Sequence, residues 1–376
     1  MPRKRIKIED LDPNMKSKPA GSPDQPQPAV DPVSWRPSKD KAFTVFGLHW
    51  YNEDKKTLRR LPGRVQKTVP PPVWNLAQHL SGVRLRFKTN SSVLKVRIHQ
   101  PLVEMTNMGP MGHSGIDLYV GAPDDMSYWG TSRPDLAAIK ADKPYEHTYF
   151  EKTERTVRDI TLYLPVYNSL TALDIGLDND AVIEPPSPYA NAKPIVFYGT
   201  SITQSGCASR PANGYVPMLG QLLNSDIINL GFSGNGRGEP ELANLVADID
   251  ASLFVLDYEA NAGLELMEKN LLPFAETIRA KHPQTPLVIL SKPFFSRVNY
   301  LPDGYEGHQR SSAFFQSVAV ELNKRYPGPA VFTDGWTLIG PQTPYAYVDG
   351  VHPNDYGFAQ MASRLAPVLQ SLLNKI

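Results

Sequence analysis

Ser201 follows a short apolar run, Pro194-Ile-Val-Phe-Tyr198, that breaks at Gly199-Thr200. A serine just past a buried strand is presented at the edge of a sheet, where it can meet a ligand. Toward the end of the chain stands Asp349-Gly-Val-His352-Pro353. A carboxylate three residues before a histidine can orient that imidazole, and the imidazole can then act as base toward the serine. The chemistry of such a set is acyl-ester hydrolysis. Taken singly, each residue also has a plainer use: Ser201 and Asn261 as helix caps, His352 as a turn former before proline.

Competing chemistries find less support. The C-terminal half holds His282, His308 and His352, none paired at metal-ligand spacing, so neither a metal nor another cofactor is expected. Cys207 is the single cysteine, which excludes an intrachain disulfide and a thiolate cluster. Its place six residues past Ser201 suits packing under the active-site loop better than a nucleophile. The glycines from Gly231 to Gly238 suggest a phosphate cradle, but a dinucleotide fingerprint follows the first strand of its unit and this run follows the second. Arg210 either orients the loop after Ser201 or meets a polar substrate. The net charge of +1 gives no reason to expect nucleic acid as a partner.

These residues need a scaffold, and the second half of the chain supplies one. Apolar runs at 194–198, 226–230, 252–256, 286–290 and 329–332 alternate with segments long enough for helices, at about 215–223, 240–248, 264–281, 311–325 and 355–373. Strand and helix in alternation predict a parallel sheet covered on both faces, with its site at the carboxyl ends of the strands.

The first half reads differently. Val83, Leu85 and Phe87 interleave with Arg84, Arg86 and Lys88, and Leu94, Val96 and Ile98 with Lys95, Arg97 and His99. The two runs around Asn90-Ser-Ser92 predict antiparallel strands with one wet face, and further strands are expected at 116–120, 160–164 and 170–177. Strands without intervening helices predict a β-sandwich. Residues 1–40 are expected to form a flexible, proline-rich arm, 41–185 the sandwich, and 193–376 the α/β domain. The basic Arg3-Lys-Arg-Ile-Lys7 is read as a solvated tail. No run approaches a membrane span and no secretory signal is evident, so the expected location is cytoplasmic, with no membrane partner.

At this point the residues carry a family resemblance. Tyr198-Gly-Thr-Ser-Ile-Thr203, Asn229-Leu-Gly-Phe-Ser-Gly-Asn-Gly236, Asp257-Tyr-Glu-Ala-Asn261 and Asp349-Gly-Val-His-Pro353 resemble the four ordered blocks of the SGNH (GDSL-type) hydrolases. Gly115-Ile-Asp-Leu-Tyr119 resembles the GxDLY motif of a β-rich domain that precedes one subgroup, and Arg60-Leu-Pro62 fits that subgroup. Two departures stand out: Thr200 where the broader family usually has aspartate, and Glu259-Ala-Asn261-Ala262 without the usual glycine and following aspartate.

The resemblance implies a flavodoxin-like, three-layer α/β/α hydrolase domain after an antiparallel, jelly-roll-like sandwich. It implies Ser201 as nucleophile, His352 as general base and Asp349 as its orienting carboxylate. The oxyanion donors would be the Ser201 main-chain N–H, Gly234 and the Asn261 amide, with Gly231 and Gly236 as alternatives to Gly234. Asp117 and Tyr119 are expected to hydrogen-bond in the interior, and the loop from Asn107 to His113 to reach the cleft wall. The expected substrate is a small-molecule or oligosaccharide ester, with a short acyl group, above all acetyl, on a carbohydrate. Lipid or thioester hydrolysis, or a silent carbohydrate-binding protein, are the alternatives.

Overall fold

The computed structural model describes residues 33–54 and 56–374; the basic N-terminal run and most of the arm lie outside the described residues. The antiparallel half contains β1 (Val33–Pro37), β2 (Thr44–Phe46), β3 (Arg84–Thr89), β4 (Leu94–His99), β5 (Asp117–Val120), β6 (Ser127–Thr131), β7 (Tyr145–Phe150), β8 (Arg158–Tyr163), β9 (Ala172–Asp178) and β10 (Ile183–Glu184). One sheet runs β1-β9-β4-β7; the other runs β10-β3-β8-β5-β6, with β2 also paired to β3. Leu85, Phe87, Leu118 and Ile160 from one sheet meet Val96, Ile98, Leu173 and Ile175 from the other in a shared apolar core, which makes a sandwich.

Several expectations are corrected here. The arm does not extend to residue 40, because Val33–Pro37 pairs with Asp178 to Asp174 as an edge strand. The runs around Asn90 do not pair with each other: β3 pairs with β8 and β4 with β7 and β9, so the chain crosses between sheets at residues 90–93. Nor does β3 have a wet face. Arg84 and Arg86 are buried, the first in an ion pair with Asp226 of the other half and the second with its guanidinium 4.4 Å from the Tyr189 ring centroid. Alternation reports an apolar face but does not say whether solvent or a neighbouring layer covers the other. Three short helices also interrupt the strands, α1 (Pro71–Ala77), α2 (Pro110–Ser114) and α3 (Leu136–Lys140).

The C-terminal half follows its expected rhythm. Strands β11 (Asn191–Gly199), β12 (Ser225–Gly231), β13 (Leu253–Asp257), β14 (Leu287–Leu290) and β15 (Ala330–Thr333) form one parallel sheet in the order β12-β11-β13-β14-β15. This is the flavodoxin-like order, whose direction reverses beside β11 and opens a crevice at the carboxyl ends. Helices α4 (Tyr215–Leu222) and α8 (Asp355–Leu373) pack on Ile195, Phe197, Val255 and Val288. Helices α5 (Pro240–Ala247), α6 (Glu259–Lys281) and α7 (Gly304–Arg325) pack on Val196, Tyr198, Phe254 and Leu256. Two helices start earlier than their apolar patterns: α7 by seven residues, and α6 by one turn that ends at Gly263, where φ is +67°.

The second core also contains residues from between β2 and β3. Trp50, Leu61, Val65, Val69, Val73 and Ala77 lie in the same apolar cluster as α5, α6 and α7. The segment 50–77 thus leaves the antiparallel half and covers one face of the parallel one.

Candidate active site

The chain leaves β11 through a turn that is tightly specified. A Cβ at Gly199 would collide with Thr203 and the Asp257 carbonyl, so the strand must end in glycine. Thr200 accepts the Ile202 N–H at 3.2 Å and donates its own N–H to Thr203 Oγ1 at 3.0 Å. Threonine therefore does keep a local anchor at the position where aspartate is usual. Ser205 and Cys207 both adopt left-handed backbone, at φ +71° and +72°, and the turn is closed by the Gly206 N–H donating to the Ser201 carbonyl at 2.7 Å. Non-glycine residues in that region cost on the order of 1–3 kcal/mol each, a cost that persists only where surrounding contacts fix the turn.

Three candidate side chains meet above this turn. His352 Nε2 lies 2.8 Å from Ser201 Oγ, and His352 Nδ1 lies 2.8 Å from Asp349 Oδ2. Asp349 Oδ1 accepts the N–H groups of His352 at 2.9 Å and Val351 at 3.1 Å. Its Oδ2 accepts a further bond from Asn107 Nδ2 of the antiparallel half, at 2.9 Å. Burial pushes the Asp349 carboxyl up, but the His352 N–H, Asn107, the imidazole and the Val351 N–H together hold it well below the usual carboxylate range. The carboxylate is thus charged whenever the imidazole needs a partner.

Beneath the turn lies a second carboxyl. Asp257, at the end of β13, is buried and accepts bonds from Thr203 Oγ1 at 2.9 Å and Tyr215 OH at 2.6 Å. Burial, against those two bonds, pushes it up to about 7. The native protein therefore keeps a proton that the unfolded chain releases near pH 4, so this group's contribution to stability falls as pH rises from about 4 to 7 and is level above that. Asp257→Asn should flatten the decline of the thermal midpoint over that interval relative to wild type. Parallel midpoint-against-pH curves for the two proteins would refute this ionisation.

The glycine-rich loop after β12 lies against the same turn. Phe232 N–H donates to the Gly199 carbonyl at 2.9 Å, and Ser233 N–H to Gln204 Oε1 at 3.1 Å. Gly231 N–H is taken by Asn229 Oδ1 at 2.9 Å and Gly236 N–H by the Phe232 carbonyl at 2.8 Å. Gly234, at φ +67° with open space where a Cβ would sit, is the glycine of the three whose N–H has no acceptor among the described residues. Asn261, in the first turn of α6, reaches this loop through Nδ2, which donates to the Phe232 carbonyl at 3.2 Å. Its second amide hydrogen remains for a ligand.

Residues outside the four blocks hold the loops. Arg60 is 1 % exposed and donates to the carbonyls of His79, Leu76, Asn229 and Gly231, with its guanidinium 4.9 Å from the Phe232 ring centroid. The Asp117 carboxylate accepts from Arg210 at 2.9 Å, from the Ala212 N–H at 2.8 Å and from Thr131 at 2.6 Å, while Tyr119 OH accepts from Arg210 at 2.9 Å. Arg210 thus orients the loop after Ser201, and the GxDLY residues are what it binds. Cys207 is buried and its thiol is pushed up to about 12 by burial and then by Asp349, so it is a neutral packing group. Asn107 carries no signal of its own in sequence. Arg60 and Asp257 lay within motifs, but nothing local reveals the contacts they make.

A doubly wound sheet with a hydroxyl, an imidazole and a carboxylate in line at its carboxyl edge has the arrangement of a serine hydrolase. Residues 192–370 match the GDSL-like Lipase/Acylhydrolase family, and residues 33–183 match the N-terminus of Esterase_SGNH_hydro-type. The chain belongs to the SGNH hydrolases, in the subgroup with a GxDLY domain, and is an acyl esterase by class. Among solved structures it is similar to a protein described as a GDSL-like lipase from Bacteroides ovatus, at 28% identity and a TM-score of 0.81 over 91% of this chain and 98% of that one. The salicylyl-acyltransferase SsfX3 from a tetracycline biosynthetic pathway shares the fold at 22% identity and a TM-score of 0.72, over 90% of this chain and 97% of its own. A family two carbohydrate esterase from Cellvibrio japonicus shares it at 13% identity and a TM-score of 0.59, over 91% and 98%. No curated protein sequence matches the chain.

Proposed function

We propose that this esterase removes short acyl groups, acetyl foremost, from a carbohydrate or other small polar alcohol. The observation that carries the mechanism is the Ser201–His352–Asp349 relay, with both links at 2.8 Å. Ser201 Oγ attacks the ester carbonyl while His352 Nε2 takes its proton, and Asp349 steadies the imidazolium that results. The oxyanion sits among the Ser201 and Gly234 N–H groups and the second amide hydrogen of Asn261. His352 then protonates the departing alcohol, and water deacylates the acyl-serine with His352 again as base. A silent binding protein would have no need of a relay at bonding distance.

The carbohydrate part of this reading is supported by a layout shared with the family two carbohydrate esterase, whose likeness spans both halves of this chain. Among the described residues no helix is long and apolar enough to cross a membrane. The test is hydrolysis of p-nitrophenyl acetate, butyrate and octanoate, followed by acetate release from acetylated oligosaccharides. We expect kcat/KM to be greatest on acetate and to fall with chain length, with acetate released from the sugars. Preference for octanoate would move the reading to lipids or thioesters, and no turnover on any ester would leave a binding protein.

A further inference from the structure

We propose that Asn107, on the loop between β4 and α2, is a positioning residue for hydrolysis: its amide fixes the Asp349 carboxylate and thereby the imidazole presented to Ser201. This rests on the reading of Asp349 as the orienting carboxylate. Among the described residues, every other hydrogen bond to that carboxylate comes from its own loop, from the N–H groups of Val351 and His352 and from the His352 ring. The loop also closes on itself, with Val348 N–H donating to the His352 carbonyl at 2.9 Å, and it turns through Gly350 at φ +81°. Bonds inside one loop set its shape but not its placement over Ser201. Asn107 Nδ2, 2.9 Å from Asp349 Oδ2, is the one donor to the carboxylate from elsewhere among the described residues.

Asn107 is itself held in place from two sides. The next residue, Met108, is 6 % exposed and packs in the cluster that contains Tyr167, Ile202 and Ala208, against the turn that carries Ser201. Four residues on, a Cβ at Gly112 would collide with the Ala208 carbonyl, so α2 lies directly against that turn. Tyr167 N–H then donates to the His113 carbonyl at 3.1 Å, tying α2 to the sandwich. The loop thus takes its position from the nucleophile turn and passes it to Asp349. The residue type also fits. Lysine or arginine here would draw the carboxylate's charge away from the imidazolium formed during the reaction, whereas a neutral amide orients without competing.

The experiment measures kcat and KM for p-nitrophenyl acetate between pH 5 and 9, with thermal midpoints, for wild type, Asn107→Ala, Asn107→Asp and Asp349→Asn. Asn107→Ala should lower kcat about tenfold, the usual worth of one hydrogen bond to a charged group, with KM and the midpoint little changed. Asn107→Asp keeps the size but adds a negative charge beside the relay, which favours the imidazolium; it should move the acid limb of kcat/KM up by about half a pH unit or more. A packing role would show instead as a lowered thermal midpoint in Asn107→Ala. Wild-type kcat in Asn107→Ala, or an unmoved acid limb in Asn107→Asp, beside an impaired Asp349→Asn would overturn the role of Asn107 alone. Wild-type turnover in Asp349→Asn would instead overturn the relay on which it rests.

Discussion

Ser201→Ala should lower ester turnover by a factor on the order of 10⁴ to 10⁶ while leaving the fold intact. Ser201 Oγ bonds to His352 Nε2, so its loss removes the attacking atom and leaves the imidazole without a proton to take. The bonds that shape the turn are made by the Ser201 carbonyl, by Thr200 and by Thr203, and all survive the substitution. The thermal midpoint should therefore stay within a few degrees of wild type, and the remaining rate should reflect only oxyanion donors and binding. Initial rates on p-nitrophenyl acetate, beside calorimetry of the same samples, check both halves of the expectation. Turnover above about one per cent of wild type would reassign the nucleophile, since a loss on the order of 10⁴ or more leaves far less. It would not simply pass to Cys207, whose thiol is pushed up to about 12 and stays protonated at neutral pH.

Arg60→Ala should be the most destabilising single change at the junction of the two halves, at about 3–5 kcal/mol. One buried guanidinium donates to four carbonyls, those of Leu76 and His79 from α1 and its exit, and those of Asn229 and Gly231 at the end of β12. Alanine takes that donor from all four and leaves a void beside Phe232. Lysine keeps the charge, but it has no planar fork with which to reach a strand end and a helix end at once, so Arg60→Lys should restore less than half of the loss. Activity should also fall, because β12 leads directly into the Gly234 loop. Urea denaturation followed by tryptophan fluorescence gives the stability difference, and an Arg60→Ala protein with an unchanged urea midpoint would refute the clamp.

The parallel half was legible in sequence because burial on both faces makes each of its strands a plain apolar run. Glycine or aspartate ends β11, β12 and β13, and three of the four blocks lie at those ends, with the fourth in the loop before α8. The antiparallel half was less so. Strands β6, Ser127–Thr131, and β7, Tyr145–Phe150, mix aromatic and polar residues without clean alternation, and β1 sits in proline-rich sequence that reads as an arm. Arg84 and Arg86 show how a pattern misleads, since two cations on alternate positions announce solvent but here meet Asp226 and Tyr189. The nearness of Ser201, His352 and Asp349 was legible in residue types and family blocks. Asn107 and Asp257 did not, because their meaning arises from partners 242 residues away in one case and 54 in the other.

The segment 50–77, laid over the parallel half, has a consequence for how the chain is made. Synthesis runs from the N-terminus, and domains generally fold as they emerge. This first half cannot complete itself in that order. Trp50, Leu61, Val65 and Val73 find their apolar cover only when α5, α6 and α7 exist, and Phe315 and Leu322 of α7 lie in the same cluster. Arg60 and Arg84 likewise wait for Asn229, Gly231 and Asp226. On the ribosome the early sandwich is therefore a template with one sticky flank, held open for most of translation and sealed from the far end of the chain.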